Sequence, residues 1–166
     1  MKTIHVALIV ALLMLPLAAC ELINPEQEDH YDGATFILET HGGIAQTRQV
    51  LTVEPTKLVY VSYSQGGAEI ARSEKKLDQP TYEDVVSDFR KSDFLNLDPN
   101  YTTPPGSPQV MDAGTEILGM VNGDIAKNVT ISPYVPAAMP PNVAAVDASL
   151  REMVALANNK VVVLQT

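Results

Sequence analysis

This sequence predicts an α+β fold: an antiparallel sheet of about five to six strands with two helices packed on one face. Three observations carry that expectation. Runs rich in Val, Ile, Leu, Thr and Tyr, separated by turn residues, fill 35–76 and 115–131. Two other segments, 82–91 and 143–157, space their apolar residues by three and four, as an amphipathic helix does. Several strands therefore precede one helix and a hairpin precedes the other, without the strict alternation that builds a parallel sheet.

The elements follow in chain order. Thr35–Thr40 alternates around Phe36, Ile37 and Leu38 and predicts a strand, after which Gly42-Gly43 bends the chain. Arg48–Val53 and Lys57–Ser64, separated by Pro55, predict two more. Gln65-Gly66-Gly67 suits a hairpin turn into Ala68–Lys76, whose charges fit an edge strand. Pro80-Thr81-Tyr82-Glu83-Asp84 reads as a helix start with Thr81 as N-cap and acids in the first turn. Tyr82, Val85, Val86 and Phe89 mark the buried face of that helix to about Lys91, and Phe94-Leu95-Asn96-Leu97 closes it against the core. Pro99, Pro104, Pro105, Gly106 and Pro108 predict a long stiff loop, of a kind usually functional or disordered. Asp112-Ala113-Gly114 reads as a strand-entry turn. Thr115–Val121 and Ile125–Ile131 then form a hairpin about Asn122-Gly123. A second proline segment, 133–141, leads to a helix over 143–157 with Val143, Val146, Leu150, Met153, Val154 and Ala157 on its core face. Val161–Leu164 fits a last short strand.

The chain's opening has a different character. Lys2 precedes the uncharged run Val6–Leu15, the shape of an export signal, and Pro16 and Glu21 arrive too early for a bilayer-spanning helix of about 20 residues. The run ends in Leu17-Ala18-Ala19-Cys20, which resembles the lipobox of prokaryotic lipoproteins. That resemblance implies a signal peptide over 1–19, a diacylated Cys20 as first mature residue, and a location on the non-cytoplasmic side of a membrane in the cell envelope. Sulfur is the most nucleophilic side-chain atom available for such an alkylation. A single acyl chain holds a protein marginally, at about 0.8 kcal/mol per buried methylene, and two or three hold it durably. Cys20 is the chain's one cysteine, so no internal disulfide is available to it. Residues 20–33, rich in Asp and Glu, read as an acidic tether, and 34–166 as one α+β domain.

The net charge of −9 argues against nucleic acid as a partner and against electrostatic attraction to anionic lipid. That leaves the lipid on Cys20 as the link to the membrane. No HExxH, GxSxG, CxxC or phosphate-loop pattern occurs, and the acidic run 26–32 lacks the turn glycine and spacing of a calcium loop. The sequence thus offers no catalytic residue, metal site or cofactor site. Asn100-Tyr101-Thr102 and Asn128-Val129-Thr130 match the glycosylation sequon and are given no role.

One stretch points to a partner. Thr40-His41-Gly42-Gly43-Ile44-Ala45, a strand ending in a double glycine, resembles the opening of emfourin, a small protein inhibitor of thermolysin-like metallopeptidases. The order of strands, helix, hairpin, Pro140-Pro141 and closing helix is similar too, while Gln46 stands where another glycine is expected. The resemblance implies that His41, Gly42, Gly43 and Ile44 bind a secreted or envelope peptidase by entering its cleft. Glycines there admit backbone conformations and close approaches that a side chain forbids. The expectation is a non-catalytic protein-binding domain, with peptidase inhibition as its sharpest form. The alternative is an assembly component of an envelope complex that binds through its proline loops, with Tyr101 as anchor.

Overall fold

The structure is a computed structural model and describes residues 29–42, 47–103 and 113–159. Its strands are β1 (Thr35–Gly42), β2 (Thr47–Glu54), β3 (Lys57–Tyr63), β4 (Glu69–Lys76), β5 (Asn100–Tyr101), β6 (Thr115–Asn122) and β7 (Ile125–Ile131). Its helices are α1 (Gln79–Lys91) and α2 (Pro141–Asn158), with short 3-10 turns at Phe94–Asn96 and Pro136–Ala138.

The α+β class holds, with a larger and mixed sheet. Seven strands lie in the order β4-β3-β2-β1-β6-β7-β5. Six of the expected strands pair antiparallel, while β5 adds to β7 in parallel, with Thr130 N–H donating to Pro99 O and Ser132 N–H to Tyr101 O. β5 begins the proline loop and is two residues long, too short to show any alternation. Val161–Leu164, expected as a strand, lies outside the described residues.

Register sorts the side chains onto two faces, because residues directly opposite share a face. Phe36 and Leu38 stand with Leu51, Val53, Leu58, Leu118, Met120 and Val129 on the face covered by both helices. Phe36 stacks at 4.3 Å on Phe89, which meets Phe94 at 4.6 Å, so all three phenylalanines of the chain form one cluster. Tyr82 joins them, and its buried hydroxyl donates to Ala34 O at 2.8 Å. The opposite face carries Ile37, Val50, Val59, Val61, Ile117 and Val121. Neither helix packs there, yet Val61 is buried by its neighbours and Val121 is exposed.

Three local expectations are corrected. Helix α1 is capped by Asp78, whose Oδ1 accepts from Thr81 N–H at 3.0 Å, so Thr81 is the third helical residue and the N-cap lies three positions earlier. Pro80 fits that first turn because it has no N–H to satisfy there, and Glu83 and Asp84 fall beyond it. In the β6–β7 hairpin Asn122 pairs with Ile125, leaving Gly123 and Asp124 as the central residues with Gly123 at φ +57°. Asn122 instead uses its side-chain amide as a clasp, donating to the carbonyls of His30 and Asp32. Finally, residues 29–33, assigned to the tether, belong to the domain. Tyr31 is buried, its hydroxyl accepts from Leu95 N–H, and Asp29 and Asp32 pair with Arg90 of α1.

Candidate functional site

One end of the sheet gathers the connections that sequence reading singled out. Gly42 pairs with Thr47 and His41 with both Arg48 and Thr115. Gly42 and Thr47 therefore stand at the end of the sheet that also holds the β3–β4 turn, the start of β6 and the segment after β7. Of the residues expected to bind a partner, His41 and Gly42 stand at this end, whereas Gly43, Ile44 and the lipidation residue Cys20 lie outside the described residues.

The open face at this end holds a small charged cluster. Glu39 Oε1 accepts from Arg48 Nε at 2.5 Å and lies 2.6 Å from His41 Nε2. The Arg48 guanidinium also sits 5.1 Å from the centre of the Tyr63 ring. The hydrogen bond from Arg48 holds the Glu39 carboxyl below its usual range against the opposing effect of burial, and raises Arg48 in turn. His41 thus braces the strand end through Nε2, leaving Nδ1 as its other polar atom. His41, Arg48 and Tyr63, together with Gly42, Ser64 and Gly67, line a shallow cleft of about 230 Å³.

Glycine geometry shapes the rim. Gly42 has φ +86°, in the region where a β-carbon is strained, and a β-carbon there would lie 3.5 Å from Gly114 Cα. Gly67, at φ +81°, closes the β3–β4 turn through a 2.9 Å bond from its N–H to Ser64 O. Gly114 O in turn accepts from Tyr134 N–H at 2.7 Å, which joins the segment before β6 to the segment after β7.

Beneath this end, on the helix-covered face, lies a polar cluster that sequence reading missed. Glu116 of β6 is 1% exposed and Asp147 of α2 is 4% exposed. Arg151 bridges them, its Nη2 reaching Glu116 Oε2 and its Nε donating to Asp147 Oδ1 at 2.8 Å. Tyr134 donates to Asp147 Oδ2 at 2.8 Å and lies under the Arg151 guanidinium at 4.7 Å. The available signal was the i,i+4 spacing of Asp147 and Arg151, an ordinary surface pair on most helices. Burial of Glu116 has no such signal, since it occupies a core-facing position with a charged side chain.

Tyr101, expected as an anchor for a partner, is half-buried and packs against the core. With Ile131, Pro133, Val135 and Met139 it lines an apolar cleft of about 160 Å³. Pairing of β5 with β7 draws the ring inward. Among the described residues no group of His, Cys, Asp and Glu is arranged to hold a metal ion, and no helix is long and apolar enough to cross a membrane. No protein-family model matches the chain and no curated protein matches it, so its function is argued from this geometry.

Proposed function

We propose that the chain is a lipid-anchored protein of the cell envelope whose domain binds another protein through the β1–β2 end of the sheet, without catalysis of its own. Its sharpest form is inhibition of a thermolysin-like metallopeptidase by occlusion. Gly42, Gly43 and Ile44 would enter the cleft while His41, tied to Glu39, steadies the base of the loop. The observation that carries this reading is the pairing of Gly42 with Thr47 at the ends of two eight-residue strands. Strand ends fixed by that much sheet have little freedom left to lose on binding, which lowers the ordering cost. The test titrates the full chain in mild detergent against such a peptidase cleaving a fluorogenic peptide. Stoichiometric inhibition lost in Gly43→Asp and Ile44→Asp is expected, and a folded chain inert at micromolar concentration would refute it.

A second reading, an assembly component of an envelope complex, is favoured by the open apolar face rather than by Tyr101. Ile37, Val50, Val59 and Ile117 lie together there, half-buried, with no helix of the described residues over them. Apolar area of this kind commonly marks an interaction surface. Photo-crosslinking from Val50 in native envelopes would capture a partner on that reading and none on the inhibitor reading.

A further inference from the structure

The buried cluster beneath the loop end contains more acid than its cation can offset. Glu116 and Asp147 lie within hydrogen-bonding reach of each other, and Arg151 is the cation that touches both. Asp147 has both oxygens occupied, one by Tyr134 and one by Arg151. Glu116 Oε2 meets Arg151, but Glu116 Oε1 is fully buried with no hydrogen-bond partner among the described residues. Its neighbours in register, Thr40 of β1 and Ile131 of β7, carry no charge. A second buried negative charge facing one guanidinium would be uncompensated, and an ionised oxygen without a donor is costly.

We propose that Glu116 and Asp147 hold a single proton between them in the folded protein, and that this proton couples the docking of α2 and Tyr134 beneath the loop end to pH. Glu116 is the neutral acid of the pair, while Asp147 accepts from Tyr134 and Arg151. Burial, followed by the Asp147 carboxylate, pushes Glu116 up to about 9, with Arg151 opposing. As pH rises the proton passes to solvent, and two like charges then face each other across the contact between β6 and α2. The effect reaches the loop end through Tyr134, whose N–H holds Gly114 O beside Gly42. This coupling does not depend on what binds at the loop end.

The folded pKa is raised, so the stabilisation is complete below the unfolded value near 4.5 and is lost as pH rises through about 9. One extra proton bound in the native state makes the unfolding constant grow about tenfold per pH unit within that window. The test follows urea unfolding of the full chain in mild detergent by circular dichroism at pH 6 and 8. The wild-type unfolding constant is expected to rise about 100-fold more than that of Glu116→Gln. Parallel curves for the two would overturn the proposal. Should Glu116→Gln fail to fold, the carboxyl carbon resonances of the wild type decide the matter. One glutamate titrating above pH 7 supports the shared proton, and all glutamates titrating below pH 6 refute it. Faster amide exchange at Tyr134 at pH 9 than in the variant would place the effect at the loop end, and equal rates would refute that coupling.

Discussion

Gly42→Ala separates a backbone requirement from a packing requirement at the rim of the candidate site. Gly42 has φ +86°, and among the described residues the β-carbon of alanine would meet nothing closer than Gly114 Cα at 3.5 Å, an ordinary contact. The cost is therefore conformational, about 1–2 kcal/mol for an L-residue held at positive φ. About 0.4–1 kcal/mol returns through the smaller freedom of the unfolded chain. A net loss of about 1 kcal/mol is expected, read as a lower urea midpoint with unchanged slope. Gly42→Asn provides the control, because asparagine tolerates the left-handed region better and should recover part of the loss. Equal destabilisation by both would mean that crowding at Gly114, not φ, governs the position. No destabilisation by alanine would mean that the strand end relaxes freely, which would remove the rigidity on which the inhibitory reading depends. Peptidase titration of the same variants tells function from fold, since a folded Gly42→Ala that still inhibits assigns the glycine to the turn alone.

Other perturbations test other links. Asp78→Ala should cost about 1 kcal/mol by removing the N-cap of α1, whereas Thr81→Ala should change stability by no more than a few tenths in either direction, measured by thermal unfolding. Tyr82→Phe leaves the buried Ala34 carbonyl without its donor and should cost about 1–2 kcal/mol in chemical unfolding. The Glu39 carboxyl has a lowered folded pKa, so its stabilisation is present above about pH 4.5 and disappears as pH falls below that range. Glu39→Gln should accordingly be less stable than wild type by under about 1 kcal/mol at pH 7, with the two converging near pH 3 and in high salt. Asn122→Asp should be worse than Asn122→Ala, because a carboxylate facing the carbonyls of His30 and Asp32 repels both, and proteolysis ahead of Ala34 should report the released turn.

How much of this molecule could be read beforehand depends on how far each interaction reaches along the chain. Periodicity found β1, β2, β3, β6 and β7 within a residue or two and the buried faces of both helices, because alternation and 3,4 spacing are local consequences of one apolar side. Caps and turns were misplaced by one to three residues. Asp78 and Thr81 are both acceptable N-caps in isolation, and tertiary placement of Leu77 in the core decides between them. β5 was missed because it is a strand only through its partner: Pro99 O and Tyr101 O meet amides of β7 thirty residues on. The tether boundary failed for the same reason. An acidic stretch with one tyrosine looks solvated until Arg90, Leu95 and Asn122 arrive from distant elements to bind it. Glu116 and Asp147 were legible only as two acids among many in an acidic chain, since nothing local marks a carboxylate that folding will bury.

The correction at residues 29–33 also bears on how an anchored domain would present its loops. β1 begins at Thr35 beside the N-terminal turn and ends at Gly42 on the rim of the candidate site, so the two lie at opposite ends of one strand. Eight residues of strand span about 27 Å at about 3.4 Å each. A lipid on Cys20 would be joined to Asp29 by nine peptide links, a reach of at most about 32 Å even when fully extended. The loop end and the attachment of the tether would then lie at opposite ends of β1, about one strand length apart. Because Arg90 and Asn122 clamp the turn at 29–33, tension in the tether would reach the core before it reached the β1–β2 end. A loop that must enter another protein's cleft benefits from both features: distance from the tether, and strand ends that do not swing. Loosening the clasp at Asn122 should therefore weaken partner binding by the anchored protein more than by the same chain in free solution.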